Sequence, residues 1–320
     1  MQRVMWASIA GLCLVALSAC VTKWERDDDV DRPMSWGELI ALKAPPPQRD
    51  ALPYGGNAPQ QYGELRLPAG RGPHPLAILI HGGCWGAAYD IGYMRPLAAA
   101  MNTLGFATWL IEYRRVGGND GGGWPTTFTD VGLAADYVRV LADYYPVDAS
   151  RVIAVGHSAG GQLALWLAAR RRMPEDSPLH VDDPLPIHGV VGLAAITDLE
   201  SYRIGPRESC HRMVDEVVGG EPEHVPGRYS QLSPSALLPL GVAQWFIHGA
   251  YDSIVPPETL ALYADRARRA GDSVVIHTDP AGGHFDVVAP QGPTWDSLVV
   301  ILNNALLRMP PAGGVRPTSR

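Results

Sequence analysis

The residue that most constrains this chain is Ser158, at the centre of Gly156-His157-Ser158-Ala159-Gly160-Gly161. The apolar run Arg151-Val152-Ile153-Ala154-Val155 leads into it, and the helix-like run Gln162-Leu163-Ala164-Leu165-Trp166-Leu167 leads away. A strand, a glycine-flanked serine and a helix in that order make a nucleophile elbow. The pattern requires a sharp, strained turn at the serine, and the flanking glycines remove the Cβ atoms that would collide with strand and helix. Such a turn lifts a hydroxyl into a cleft.

Gly-x-Ser-x-Gly also arises by chance in a chain with 35 glycines, so a second element is needed. Upstream, Pro75-Leu76-Ala77-Ile78-Leu79-Ile80 reads as a buried strand and ends in His81-Gly82-Gly83-Cys84-Trp85. Acyl transfer places negative charge on the former carbonyl oxygen, and loss of one donor to that charge typically costs about 3 kcal/mol. The N–H groups of Gly83, Cys84 and Ala159 are the expected oxyanion donors. Ala159 qualifies because it follows the nucleophile and opens a helix. An ordinary glycine turn is the alternative for His81-Gly82-Gly83.

In this architecture the acid follows the serine and the histidine follows the acid. Gln244-Trp245-Phe246-Ile247-His248-Gly249 runs into a loop carrying Asp252, and Val274-Val275-Ile276-His277 leads to Gly282-Gly283-His284. Ser158, Asp252 and His284 are therefore the expected triad: His284 takes the serine proton, Asp252 fixes its tautomer, and water then hydrolyses the acyl-enzyme. Neither metal nor cofactor is required. Asp198 is the rival acid and Asp286 a remoter one. His81, His157, His248 and His277 lie in or beside apolar runs, where histidines are usually packed and hydrogen-bonded.

These motifs resemble the α/β-hydrolase esterases and lipases over roughly residues 55 to 308. The closer likeness is to the branch holding kynurenine formamidases and bifunctional feruloyl and acetyl-xylan esterase-like proteins. Cys84 stands where the hormone-sensitive-lipase-like branch has a third glycine, and Trp85 after it fits the formamidase pattern. The resemblance implies a serine carboxylesterase for small-molecule esters of short or aromatic acyl groups. It leaves open an arylformamidase or peptidase-like amidase with the same triad, and, less favoured, a surface binding lipoprotein without chemistry.

The rest of the chain agrees with an α/β fold, a mostly parallel central sheet with helices on both faces. Strand-like runs at 104–113 and 187–194 flank a helical stretch from Asp130 to Tyr144. Residues 61–68 suit an antiparallel edge strand. Residues 117–123 hold five glycines, which without a following Gly-Lys-Ser or Gly-Lys-Thr suggests a mobile loop near the cleft rather than a phosphate cradle. Residues 173–186 read as a surface loop, and Leu199 to Pro239 as a short lid or as ordinary connecting helices.

The amino terminus is expected to be a lipoprotein signal, residues 1–19. Its apolar core, Ala7 to Ala16, is too short to span a bilayer, and small residues precede Cys20, the expected site of acylation. Membrane anchorage through Cys20 places the enzyme in a bacterial cell envelope, facing periplasm or exterior. Residues 20–55, with Glu25-Arg26-Asp27-Asp28-Asp29 and Pro45-Pro46-Pro47, read as a flexible tether. Residues 56–309 form the catalytic domain, and 310–320 a disordered tail. A net charge of −7 argues against a nucleic-acid partner. Oligomeric state is not legible. Within the domain Cys84 and Cys210 remain, an even pair that in an oxidising envelope invites a disulfide between oxyanion loop and lid. Two separately buried thiols are the alternative.

Overall fold

The structure is a computed structural model and describes residues 32–205 and 210–310. The expected signal, Cys20 and the tail from 311 lie outside the described residues. Among the described residues eight strands form one sheet: β1 (Arg49–Pro53), β2 (Tyr62–Arg66), β3 (His74–Ile80), β4 (Ala107–Ile111), β5 (Val147–His157), β6 (Gly189–Leu193), β7 (Ala243–Gly249) and β8 (Val274–Asp279). Their order across the sheet is β1-β2-β4-β3-β5-β6-β7-β8. β2 is antiparallel to both β1 and β4, and every pairing from β4 to β8 is parallel.

The parallel strands are apolar almost without interruption because both sheet faces are covered. Along β3, Leu76, Ile78 and Ile80 enter one core while Ala77 and Leu79 enter the other. β5 divides likewise, with Val152 and Ala154 on the first face and Ile153 and Val155 on the second. The alternation follows from the two-residue period of a strand.

Among the described residues, ten helices surround the sheet: α1 (Trp36–Ala41), α2 (Arg95–Thr103), α3 (Thr126–Asp136), α4 (Val138–Tyr144), α5 (Ala159–Ala169), α6 (Leu199–Tyr202), α7 (Met213–Val218), α8 (Pro226–Leu232), α9 (Pro257–Arg269) and α10 (Trp295–Arg308). Phe128 of α3, Leu163 and Trp166 of α5, and Leu260 and Tyr263 of α9 fill the first core. Leu39 of α1, Leu97 and Met101 of α2, and Leu298 and Ile301 of α10 fill the second. α5 is buried nearly all round, as an apolar helix leaving the centre of a covered sheet must be.

The structure corrects three expectations. The flexible tether does not extend to residue 55: from Arg32 onward the chain packs on the domain, with α1 in the second core and β1 at the sheet edge. α1 forms because Ser35 and Glu38 make a reciprocal capping box, locked by an Arg32–Glu38 ion pair, while Leu39 is fully buried. Consequently the strand expected at 61–68 is antiparallel but interior, with β1 outside it. The helix expected from Asp130 to Tyr144 starts at Thr126 and breaks at Tyr137 into α3 and α4.

Loop 173–186 runs without regular structure, yet Leu179 and Leu185 are buried and pin it to the core. The region from Leu199 to Pro239 comprises α6, α7, α8 and short 3-10 turns. No described helix is long and apolar enough to cross a membrane. Leu39→Ala is expected to destabilise the domain by about 2–5 kcal/mol, the range for a buried leucine, with urea unfolding as the measurement. A free tether would show no change.

Candidate active site

β5 ends at His157, and the chain turns at Ser158 with φ 56° and ψ −120° before entering α5. A positive φ in a residue with a Cβ is a strained conformation, held here by neighbours on both sides. The Ser158 N–H donates to the Leu193 carbonyl at 2.9 Å, and its carbonyl accepts from Gly161 at 2.9 Å and Ile196 at 3.2 Å. A Cβ on Gly156 would fall inside the Gly160 carbonyl, and one on Gly160 would meet the carbonyls of Ile80 and His81. Glycine at both positions is therefore a packing requirement.

The loop after β3 passes beside this elbow. Gly83 and Cys84 both have positive φ, 91° and 55°. A Cβ on Gly83 would enter the Tyr89 side chain. Among the described residues, no acceptor engages the N–H groups of Gly83, Cys84 or Ala159. The Gly82 N–H, by contrast, donates to Tyr93 Oη at 2.6 Å. The three amides expected to stabilise an oxyanion are thus left with open donors, and their neighbour is committed elsewhere.

Asp252 follows β7 and His284 follows β8, and the fold brings them into contact: His284 Nδ1 lies 2.8 Å from Asp252 Oδ2. The other carboxylate oxygen accepts from the Ile254 and Val255 amides at 2.9 and 2.8 Å. Burial pushes the Asp252 carboxyl up, but the hydrogen bond and charge of His284, the Val255 amide and the charge of His248 together hold it below the usual range. It stays ionised and ready to orient an imidazole. Ser158 and His284 line one cavity of about 230 Å³, together with Gly83, Cys84 and aromatic walls. Among the described residues Ser158 Oγ takes no hydrogen bond, the open arrangement common in apo sites, where such bonds tighten around substrate.

The competing residues have structural partners. Asp198 caps α6 through the Ser201 amide, accepts from Ser235 Oγ at 2.7 Å and pairs with Arg266 at 3.2 Å. Asp286 accepts from the Met34 amide at 2.9 Å and the Gly283 amide at 2.8 Å, joining the amino-terminal segment to the His284 loop. His81 is fully buried against Glu112 at 2.9 Å. His248 Nε2 donates to the Val255 carbonyl at 2.8 Å. His277 lies on β8, away from the cavity lining.

Two residues carry a network that motif reading alone did not single out. Tyr93 Oη accepts from the Gly82 amide and lies 2.9 Å from His157 Nδ1, while His157 Nε2 lies 2.9 Å from the His284 carbonyl. A carbonyl can only accept, so Nε2 carries the proton and Tyr93 donates to Nδ1. The loop after β3, the elbow and the His284 loop are thereby joined in one line. Burial pushes the Tyr93 hydroxyl above the ordinary phenol value, so it remains a donor. Tyr93 sits in a 3-10 turn before α2 and had no motif to announce it.

Burial, assisted by the neighbouring His284 charge, lowers His157 to about 3 from its ordinary 6.5. Between those values the unfolded chain binds a proton that the folded chain refuses. The stability held by neutral His157 is therefore present above about pH 6.5 and lost as pH falls toward 3. His157→Gln, which can still accept from Tyr93 and donate to the His284 carbonyl, is expected to flatten this loss by up to ~1.4 kcal/mol per pH unit in that window. Urea unfolding at pH 7, 6 and 5 measures the slope.

Cys84 and Cys210 form a disulfide with Cα atoms 4.9 Å apart, tying the loop after β3 to the segment before α7. Beyond the disulfide a wider cleft of about 790 Å³ opens between Val116, Gly117, Gly118 and Met213. The glycine-rich loop thus borders the cleft as expected, with φ of 83° at Gly117 and 57° at Gly118.

An elbow serine after the fifth strand of a mostly parallel sheet, open amides beside it, and an Asp–His pair after β7 and β8 define an α/β-hydrolase. Within that class the chain belongs to the BD-FAE family, whose profile matches residues 64–265. It is similar to the "Probable carboxylic ester hydrolase LipM" of Mycobacterium tuberculosis (strain ATCC 25618 / H37Rv), with 24% identity over 216 residues, 65% of this chain and 48% of LipM. The chain thus spans about half the length of that relative. Among solved structures it resembles a truncated carbohydrate esterase from gut microbiota, at 19% identity and TM-score 0.69, covering 82% of this chain and 99% of that one. Esterase B from Lactobacillus rhamnosis (HN001) superposes with TM-score 0.70 at 17% identity, covering 85% and 90%. These likenesses establish a shared fold.

Proposed function

We propose that this chain is a serine carboxylesterase that cleaves esters of short or aromatic acyl groups through an acyl-enzyme. The observation that carries the reading is the cavity shared by Ser158 and His284, with His284 hydrogen-bonded to a buried, ionised Asp252. His284 takes the Ser158 proton as Oγ attacks the ester carbonyl, and Asp252 stabilises the imidazolium. The amides of Gly83, Cys84 and Ala159 receive the oxyanion, and α5 turns the positive end of its dipole toward the same charge. His284 then returns the proton to the leaving alkoxide, and water repeats the cycle on the acyl group. The carboxylic ester hydrolase among the curated relatives and the esterases among the structural neighbours support this choice of bond.

The apolar, aromatic-walled cavity suits a small or planar acyl group, and the open cleft beyond the disulfide offers room for a bulkier alcohol. Side-by-side turnover of p-nitrophenyl acetate, an arylformamide and an aminoacyl anilide tests the assignment. The ester is expected to turn over fastest, and preference for the formamide or the anilide would replace esterase with amidase. We further infer export and lipid anchorage through Cys20. The Cys84–Cys210 disulfide supports an oxidising compartment. Labelled palmitate should enter the wild-type chain and not Cys20→Ser, and equal labelling of both would sink the anchor.

A further inference from the structure

The amino-terminal helix does more than cover core. α1 carries Trp36 to the active-site cavity, where its ring meets those of Tyr89, Tyr93 and Phe285 at centroid distances of 5.4, 5.3 and 5.5 Å. Phe285 adjoins His284, with ring centroids 5.2 Å apart. Beside Trp36 lies a second hollow of about 410 Å³, bounded by Ile40, Leu42 and Pro96 together with the charged Lys43, Asp90 and Arg95. It contains no part of the triad. The two spaces share three lining residues, Trp36, Tyr89 and Tyr93, so these rings are the partition between them.

The three rings are not equivalent. Tyr93 is committed to the Gly82 amide and to His157, and cannot be changed without disturbing oxyanion loop and elbow. Tyr89 packs on Gly83, and its carbonyl accepts from Arg115. Trp36 is half-buried and its ring rests on other aromatic rings, while its helix is fixed independently by Leu39 and the Ser35–Glu38 capping box. The Met34 amide shares Asp286 Oδ2 with Gly283, which sets the helix and the His284 loop in one register. The partition is therefore held in a defined place by bonds that do not involve its own side chain.

We propose that Trp36 is the chain-length gauge of this esterase, the wall that ends the acyl compartment and excludes longer acyl chains from the hollow beside it. The proposal rests on the assignment of Ser158 as acyl acceptor. Of the cavities described above, Ser158 lines the 230 Å³ one alone, so an acyl group bonded to Oγ starts there. An acyl chain of a few carbons fills that space and then meets the indole. Removal of the indole takes away one of the three shared walls and is expected to let further methylenes pass toward the Ile40, Leu42 and Pro96 side of the hollow. Each methylene accommodated in an apolar pocket changes specificity by about 10-fold or more, so the gauge is readable in rate ratios.

The experiment compares full-length wild type, Trp36→Ala, Trp36→Leu and Ser158→Ala on p-nitrophenyl acetate, butyrate, hexanoate and octanoate. Wild-type kcat/KM is expected to fall steeply beyond butyrate. In Trp36→Ala the octanoate-to-acetate ratio of kcat/KM should rise at least ~10-fold. Trp36→Leu, which keeps apolar volume at the helix, should show a smaller rise and serves if the alanine variant does not fold. A uniform loss on all four esters, with the ratio unchanged, overturns the gauge and leaves Trp36 a structural residue. Wild type that cleaves octanoate as well as acetate overturns it also, with the Ser158 assignment intact. Undiminished turnover by Ser158→Ala overturns both, because the acyl group would then not start at Oγ.

Discussion

Ser158→Ala is expected to lower kcat for p-nitrophenyl esters by about a millionfold, the scale on which loss of a serine nucleophile acts, while the urea midpoint stays near that of wild type. Chemistry and fold separate here for a geometric reason. The strained φ of 56° at residue 158 is imposed by the glycine contacts around it and by the Leu193 carbonyl, none of which involves the hydroxyl. Alanine keeps the same Cβ in the same conformation and leaves no hydrogen bond to Oγ unmet among the described residues. What disappears is the atom proposed to form the acyl-enzyme. Residual turnover reflects the oxyanion amides and substrate positioning alone. Steady-state kinetics together with urea unfolding measure both sides. A variant that kept a tenth of wild-type activity would be incompatible with the proposed covalent route.

Asp252→Asn is expected to cost about 10⁴ in kcat with little change in KM. The amide fits the same space, and its oxygen can still accept from Ile254 and Val255. It cannot supply the negative charge that stabilises the imidazolium, and an amide N–H turned toward His284 favours the wrong tautomer. Asp198→Asn and Asp286→Asn make the comparison decisive. Asp198 caps α6 and pairs with Arg266, so its loss should lower stability and spare kcat to within a few-fold. Asp286 ties the Met34 and Gly283 amides, so its neutral analogue should loosen the His284 loop without removing the acid. If Asp198→Asn proved the slow enzyme and Asp252→Asn the ordinary one, the triad would have to be redrawn.

The amino-acid pattern revealed most of the fold where burial dictated composition. The covered strands β3, β5, β6 and β7 are apolar because both of their faces are buried, and Ser158 and Asp252 follow two of these runs, whereas β8, which leads to His284, is partly exposed. Residues 32–55 were opaque for the complementary reason. β1 is exposed along most of its length, so no alternation marks it, and α1 buries Leu39 alone among its six residues. The Ser35-Trp36-Gly37-Glu38 capping box was the available signal, and it precedes a helix too short to show a period. Tyr93 was silent because its value lies in what three separate loops place around its hydroxyl. The Cys84–Cys210 pairing depended in the same way on reach, which the chain acquires only after folding.

In the proposed mechanism every step depends on Ser158 Oγ being the atom that bonds to the acyl group. Treatment of the intact protein with a fluorophosphonate, followed by peptide mass mapping, tests it most directly. One adduct per chain is expected, located on Ser158, with esterase activity lost in proportion to labelling and no adduct on Ser158→Ala. Full ester turnover by a chain that takes up no fluorophosphonate, or an adduct carried on a different residue, would contradict it.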